Sequence, residues 1–185
     1  GTRAEYGLLR WVMEAIRSSE GLELQLIASG SHYSAPHGCT YREIESDGFR
    51  IDRKVEMLLA SDSPVAVNKS MALGQMGVAE ALEELKPDIL MVLGDRYEAL
   101  AATVAGLLMR VPVGHIHGGE TTEGALDDSI RHAITKLSNL HFVATQQYRE
   151  TVIQMGEDPE FVHMVGGLGV EAALRYPKLS ALDLA

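Results

Sequence analysis

Two short clusters hold most of the side chains that could move a proton or grip an anion. The first is Gly94-Asp95-Arg96. A glycine lets the backbone turn sharply there, and Asp95 can then act as general acid or base, clamp a sugar hydroxyl, or simply cap the next helix. Arg96 can orient Asp95 or contact a phosphate, an ordinary surface arginine being the plainer reading. The second cluster is His115-Ile116-His117-Gly118-Gly119-Glu120, followed by Glu123 and by Asp127-Asp128. On a strand, His115 and His117 alternate about Ile116 and share a face. One histidine in such a place is more often a satisfied structural residue. So many acids and imidazoles together exceed what a scaffold requires. An aspartate at a helix start is worth roughly 0.5–1 kcal/mol through capping and dipole. One of Asp127 and Asp128 suffices for that, so the other is free for chemistry. Arg131 follows Asp127 by four residues and can pair with it on a helix.

Other patterns carry less. Gly1-Thr2-Arg3 would form an anion site if a strand preceded it and a helix followed. Gly166-Gly167-Leu168-Gly169 is not the G-x-G-x-x-G of dinucleotide binding and has no βαβ unit after it. Neither a P-loop nor a nucleophile elbow is present. His115 and His117 on one strand could ligate zinc, but that reading leaves most of the acids unexplained. The single cysteine, Cys39, allows no intrachain disulfide and reads as a bystander.

These residues need elements to hold them. Apolar spacing predicts helices over 5–19, 64–85, 97–110, 127–137 and 146–155. Ser63-Pro64 opens the second of these as cap and first turn. Short apolar runs predict strands at 22–28, 49–51, 89–93, 113–116, 140–144 and 161–165, with a polar loop over 31–48. The continuous run Ile89-Leu90-Met91-Val92-Leu93 suits a strand buried on both faces. Strand and helix alternate, with short connections. That is the pattern of an α/β, doubly wound parallel sheet of Rossmann-like type. Ligands bind such sheets at the carboxyl ends of the strands. The loops to read are then 29–38, 94–98, 117–128 and 166–169, and the polar clusters fall on them.

The 185 residues suit about one domain, and 46% apolar with 23% charged residues suits one real core. A net charge of −10 argues against non-specific nucleic-acid binding, which needs clustered Lys and Arg. It leaves room for a local basic spot facing a phosphorylated small molecule. No run approaches the ~18 apolar residues of a membrane helix, and no signal peptide is visible. A cytoplasmic setting is expected.

Several segments together resemble the hydrolysing UDP-N-acetylglucosamine 2-epimerases of the sialic-acid and legionaminic-acid pathways. They are GTRAEYG at 1–7, SGSHYS at 29–34, GCTYREIESDGFRIDRKVEMLLASDSP at 38–64, LKPDILMVLGDRYEALAA at 85–102, HIHGGETTEGALDDSIRHAITKLSNLHFVAT at 115–145 and VGGLG at 165–169. GDRYE and HGGE…DDSIRHAITK are the most specific. The resemblance implies a glycosyltransferase-B architecture, two Rossmann-like domains with the active site between them. Residues 1–175 would be the N-terminal domain and 176–185 the start of a hinge or a tail. A first strand would precede Gly1, and a nucleotide-binding domain would follow. The implied reaction eliminates UDP across C1–C2 to a 2-acetamidoglucal. Water then adds back with inversion at C2, giving N-acetylmannosamine from UDP-N-acetylglucosamine. A 2,4-diacetamido-trideoxy sugar, a glycosyltransferase of the same architecture, and an inactive binding domain are the alternatives. By the same resemblance Asp95 and Asp127 are catalytic. Arg3, His32, Arg96, Glu123 and Arg131 are expected to contact substrate, no cofactor or metal is used, and a homodimer is expected. One departure stands out. Some members carry a catalytic glutamate where this chain has His117. Either the imidazole takes that role or Glu120 or Glu123 compensates, Glu120 being favoured.

Overall fold

The structure, a computed structural model, describes residues 1–122 and 126–175. Glu123 and the proposed hinge or tail at 176–185 lie outside the described residues. Among the described residues six strands and seven α-helices alternate: α1 (Arg3–Arg17), β1 (Ile27–Ser29), α2 (Tyr41–Ser46), β2 (Arg53–Val55), α3 (Pro64–Leu85), β3 (Leu90–Leu93), α4 (Tyr97–Leu108), β4 (Val113–Ile116), α5 (Leu126–Leu137), β5 (Leu140–Val143), α6 (Gln146–Gln154), β6 (Val162–Met164) and α7 (Leu168–Arg175). All strand pairs are parallel. No helix among the described residues is long and apolar enough to cross a membrane.

Helix ends follow the local chemistry. Thr2 and Glu5 form a reciprocal capping box that opens α1. Ser63 Oγ accepts the Ala66 N–H at 3.2 Å, and Pro64 occupies the first turn of α3. Lys86, at φ 47°, ends that helix in the left-handed region. The polar stretch 31–48 is more ordered than its composition suggests. It contains two 3₁₀ turns and α2. Ile44 is the buried residue of α2, too little for a helical period to show. The second strand falls at Arg53–Val55 rather than at 49–51; Phe49 instead packs into a core cluster with Tyr6, Met13, Ala28 and Ile44.

Strands β3-β4-β5-β6 form one parallel sheet in sequence order, and β1-β2 form a second. The single sheet expected from the alternation is thus split, because β1 and β3 are not hydrogen-bonded neighbours. One helix layer nevertheless spans both parts. Val55, Val78, Leu82 and Ala105 form a cluster against which Ile27 and Leu90 both pack. On that face Ala99 of α4 and Ile134 of α5 cover Val92 and Val113, and α6 covers Val143 and Val162 through Val152. The opposite face carries Leu93 and Ile116, covered by Leu168 of α7 and by Leu8, Leu9 and Val12 of α1. Helices on both faces leave the carboxyl ends of the strands as the place where loops converge.

Candidate active site

Four of the sequence-predicted residues meet beyond β3 and β4. Arg131, on α5, is 6% exposed. Its Nη2 pairs with Asp95 Oδ2 at the tip of β3 and donates to Thr122 Oγ1 at 3.0 Å. Its Nη1 donates to the His117 carbonyl oxygen at 2.8 Å and lies 3.6 Å from Glu120 Oε2. One guanidinium therefore carries a carboxylate at each end of its fork, the geometry for which arginine is suited. Thr122 also donates to Asp95 Oδ2 at 3.4 Å, and its own N–H donates to Asp128 Oδ1 at 3.3 Å. The loop before α5 is thereby tied back onto the tip of β3.

His117 stands one residue past β4, at φ 66°. That left-handed turn breaks the alternation that would have put it on one face with His115. Its Nδ1 is 3.1 Å from Glu120 Oε1, and its Nε2 accepts the Leu168 N–H at 3.3 Å at the start of α7. A ring whose Nε2 accepts carries its proton on Nδ1, facing Glu120. Burial raises the pKa of Glu120, but His117 and then Arg131 outweigh it and hold the carboxyl below its ordinary range. Glu120 is thus kept ionised. Gly119, at φ 76°, lets the loop pass against α6, where a side chain would meet the Tyr148 carbonyl oxygen.

His115 is fully buried. Its Nδ1 lies 3.1 Å from Thr135 Oγ1 and its Nε2 2.8 Å from the Gly94 carbonyl oxygen. Burial pushes its pKa down to about 4. With both nitrogens occupied it ties β4 to the Gly94 turn and has no lone pair to offer a metal. The zinc reading of His115 and His117 loses its first ligand on that ground.

Other expectations need correction. Arg131 pairs with Asp95 and Glu120, not with Asp127. The buried guanidinium reaches inward to the strand ends, whereas the Asp127 carboxylate, one turn earlier on α5, has no side-chain hydrogen bond or ion pair among the described residues. Asp95 is not a helix cap; Arg96 occupies that position of α4, with no side-chain cap bond. Nor does Arg96 orient Asp95. Its Nε and Nη2 bind Glu98 Oε2 and Oε1 at 3.2 and 3.0 Å. His32 is 3% exposed, bonded through Nδ1 to Thr40 Oγ1 at 2.8 Å, and burial pushes its pKa to about 4. In this position it supports the loop after β1. Arg3 is well exposed and pairs with Glu43 at 2.9 Å. It opens on a cavity of about 660 Å³ lined also by Tyr6, Arg10 and Asp47, with none of Asp95, Arg96 or Glu120 in its wall. Thr122 and Glu98 were not singled out from the sequence. Glu98 lies within GDRYE but has the position of an ordinary first-turn acid, and Thr122 carries no motif.

The chain matches the family model described as UDP-N-acetylglucosamine 2-epimerase over residues 14–184. It is 46% identical over 167 residues to the GDP/UDP-N,N'-diacetylbacillosamine 2-epimerase (hydrolyzing) of Campylobacter jejuni, covering 90% of this chain and 43% of that protein. It is 39% identical over 184 residues to the UDP-N,N'-diacetylbacillosamine 2-epimerase (hydrolyzing) of Legionella pneumophila, covering 100% of this chain and 48% of that one. The crystal structure of UDP-GlcNAc 2-epimerase from Neisseria meningitidis bound to UDP-GlcNAc aligns with a TM-score of 0.82 at 20% identity, over 94% of this chain and 47% of that one. This last likeness concerns the fold. The chain spans about half the length of the curated relatives it matches. With a family model covering most of its residues and relatives this similar, the chain belongs to the UDP-N-acetylglucosamine 2-epimerase family.

Proposed function

We propose that this chain supplies the acid–base residues of a hydrolysing UDP-sugar 2-epimerase, with Asp95 and Glu120 as the two proton-transfer groups. The observation that carries this reading is the Arg131 fork, which holds both carboxylates at one rim of the sheet. The reaction needs two proton movements at C2. A base takes the C2 proton, its electron pair forms the C1–C2 double bond, and the C1–O bond breaks to release UDP. A proton then returns to the other face of C2 while water adds its oxygen to C1 and gives up a proton. The ionised Glu120 suits the base. Asp95, across the guanidinium, suits the return step: it takes a proton from solvent, passes it to C2 and regains one from the adding water, while Glu120 gives the C2 proton up to solvent. His117 orients Glu120 by donating from Nδ1, so the histidine at the usual glutamate position acts through its neighbour. Asp127, in the first turn of α5, is kept as a further catalytic candidate on the family resemblance alone.

The substrate is read as a UDP-2-acetamido sugar. UDP-N-acetylglucosamine, giving N-acetylmannosamine, is the simplest member. The names of the Campylobacter and Legionella relatives favour a second reading, UDP-N,N'-diacetylbacillosamine. Incubating the natural full chain with each sugar and identifying the free hexosamine tests both. Release of UDP with a C2-inverted hexosamine supports the proposal, and the faster sugar names the substrate. Transfer of the sugar to an added acceptor, with no free C2-inverted sugar, would point to a glycosyltransferase instead.

A further inference from the structure

Glu98 sits in the first turn of α4 with only 3% of its side chain exposed. A buried carboxylate is costly unless paired, and a helix dipole returns only ~0.3–1 kcal/mol. Its ion-pair partner is Arg96, whose side chain is 46% exposed. The contact is two-pronged, through Nε and Nη2. This leaves Nη1, with both its hydrogens, directed away from Glu98.

The surroundings of Glu98 fix it further. A side chain at Gly30, in the turn after β1, would meet Glu98 Oε1 at 3.4 Å and Cγ at 3.5 Å. One at Gly1, before α1, would meet Glu98 Cβ at 3.3 Å. The Gly1 carbonyl oxygen accepts the Ser31 N–H at 3.1 Å. The segment leading into α1, the turn after β1 and the first turn of α4 therefore close around this one carboxylate, and the half-exposed arginine it grips stands at their open side. A surface arginine needs no such anchor.

We propose that Glu98 is a positioning residue: it holds the Arg96 guanidinium in one orientation, with Nη1 presented to the diphosphate of the nucleotide sugar. The inference rests on the functional reading above. Loss of the anchor frees Arg96 to swing into solvent, which weakens anion binding without removing a proton-transfer group.

The test is a double-mutant cycle in the natural full chain, with steady-state kinetics on both UDP-sugars. Glu98→Gln is expected to raise KM about tenfold while kcat falls less than about threefold, the scale of one charge-assisted contact. Glu98→Asp keeps the charge and should raise KM less. In an Arg96→Ala background, Glu98→Gln should add less than about twofold, because its partner is already gone. An unchanged KM in Glu98→Gln, or a full tenfold penalty on top of Arg96→Ala, overturns the inference. So does a variant whose melting temperature alone moves. If Glu98→Gln does not fold, Glu98→Asp in the two backgrounds decides by the same criterion. Should the wild type turn over neither sugar, the functional reading falls. The calorimetric affinity for UDP in the same four proteins then still decides the role of Glu98.

Discussion

Asp95 at the tip of β3 and Arg131 on α5 form an ion pair across 36 residues of sequence, with the guanidinium almost wholly buried. The pair brings a strand end and a helix together. Its other end reaches Glu120, so the relationship is architectural and chemical at once. Replacing Arg131 by Met should leave Asp95 and Glu120 facing each other without a counter-charge. We expect a stability loss of roughly 3–5 kcal/mol, as for breaking a buried pair, and turnover down at least ~100-fold. Denaturant unfolding and hexosamine release check the two effects separately.

Glu120 and His117 are distinguishable by substitution. Glu120→Gln keeps the shape and removes the base, so kcat should fall at least ~100-fold. His117→Gln removes only an orienting contact, and a loss of about tenfold is expected. The reverse order of the two effects would move the proton transfer to the imidazole.

Gly119 tests the loop that carries Glu120. At φ 76°, with a side chain bound to strike the Tyr148 carbonyl oxygen and to come within 2.8 Å of Val152 Cγ2, Gly119→Ala must move the loop or α6. A cost of roughly 3 kcal/mol is expected, read as a lowered denaturation midpoint. Wild-type stability would show that the loop does not pack in this way.

Acid should destabilise the fold through its buried histidines. Burial pushes His115 and His32 down to about 4 in the folded chain, whereas the unfolded value is about 6.5. Between those values the unfolded state binds more protons. Stability is therefore full above about pH 6.5 and falls as the pH drops toward 4. Urea midpoints at pH 7.5, 6 and 5 should decrease in that order, and a flat series would contradict the burial of these rings.

Much of this was legible in the sequence, for reasons that also mark where it was not. The alternation of apolar runs with helical spacing placed α3 to α6 and β3 to β6 to within a few residues. Chemistry-bearing loops at strand ends brought Asp95, His117, Glu120 and Arg131 into one group. The partner of Arg131 was misread, because spacing of four residues is a rule for exposed helix pairs and this guanidinium is buried toward β4. His117 was misplaced beside His115, because one left-handed residue is invisible to a period of two. Glu98 looked like any acid in a first helical turn. Its burial comes from Gly1 and Gly30, residues remote in sequence.

The central claim is that two carboxylates of this chain, Glu120 and Asp95, move protons at C2 of a UDP-sugar. The most direct measurement is turnover of the natural full chain in deuterium oxide, with the released hexosamine analysed for deuterium at C2. The account predicts one deuterium at C2 in the wild-type product, and at least ~100-fold slower formation of that product in Glu120→Gln and in Asp95→Asn. A product that keeps its original C2 hydrogen, or wild-type rates in both variants, would contradict it.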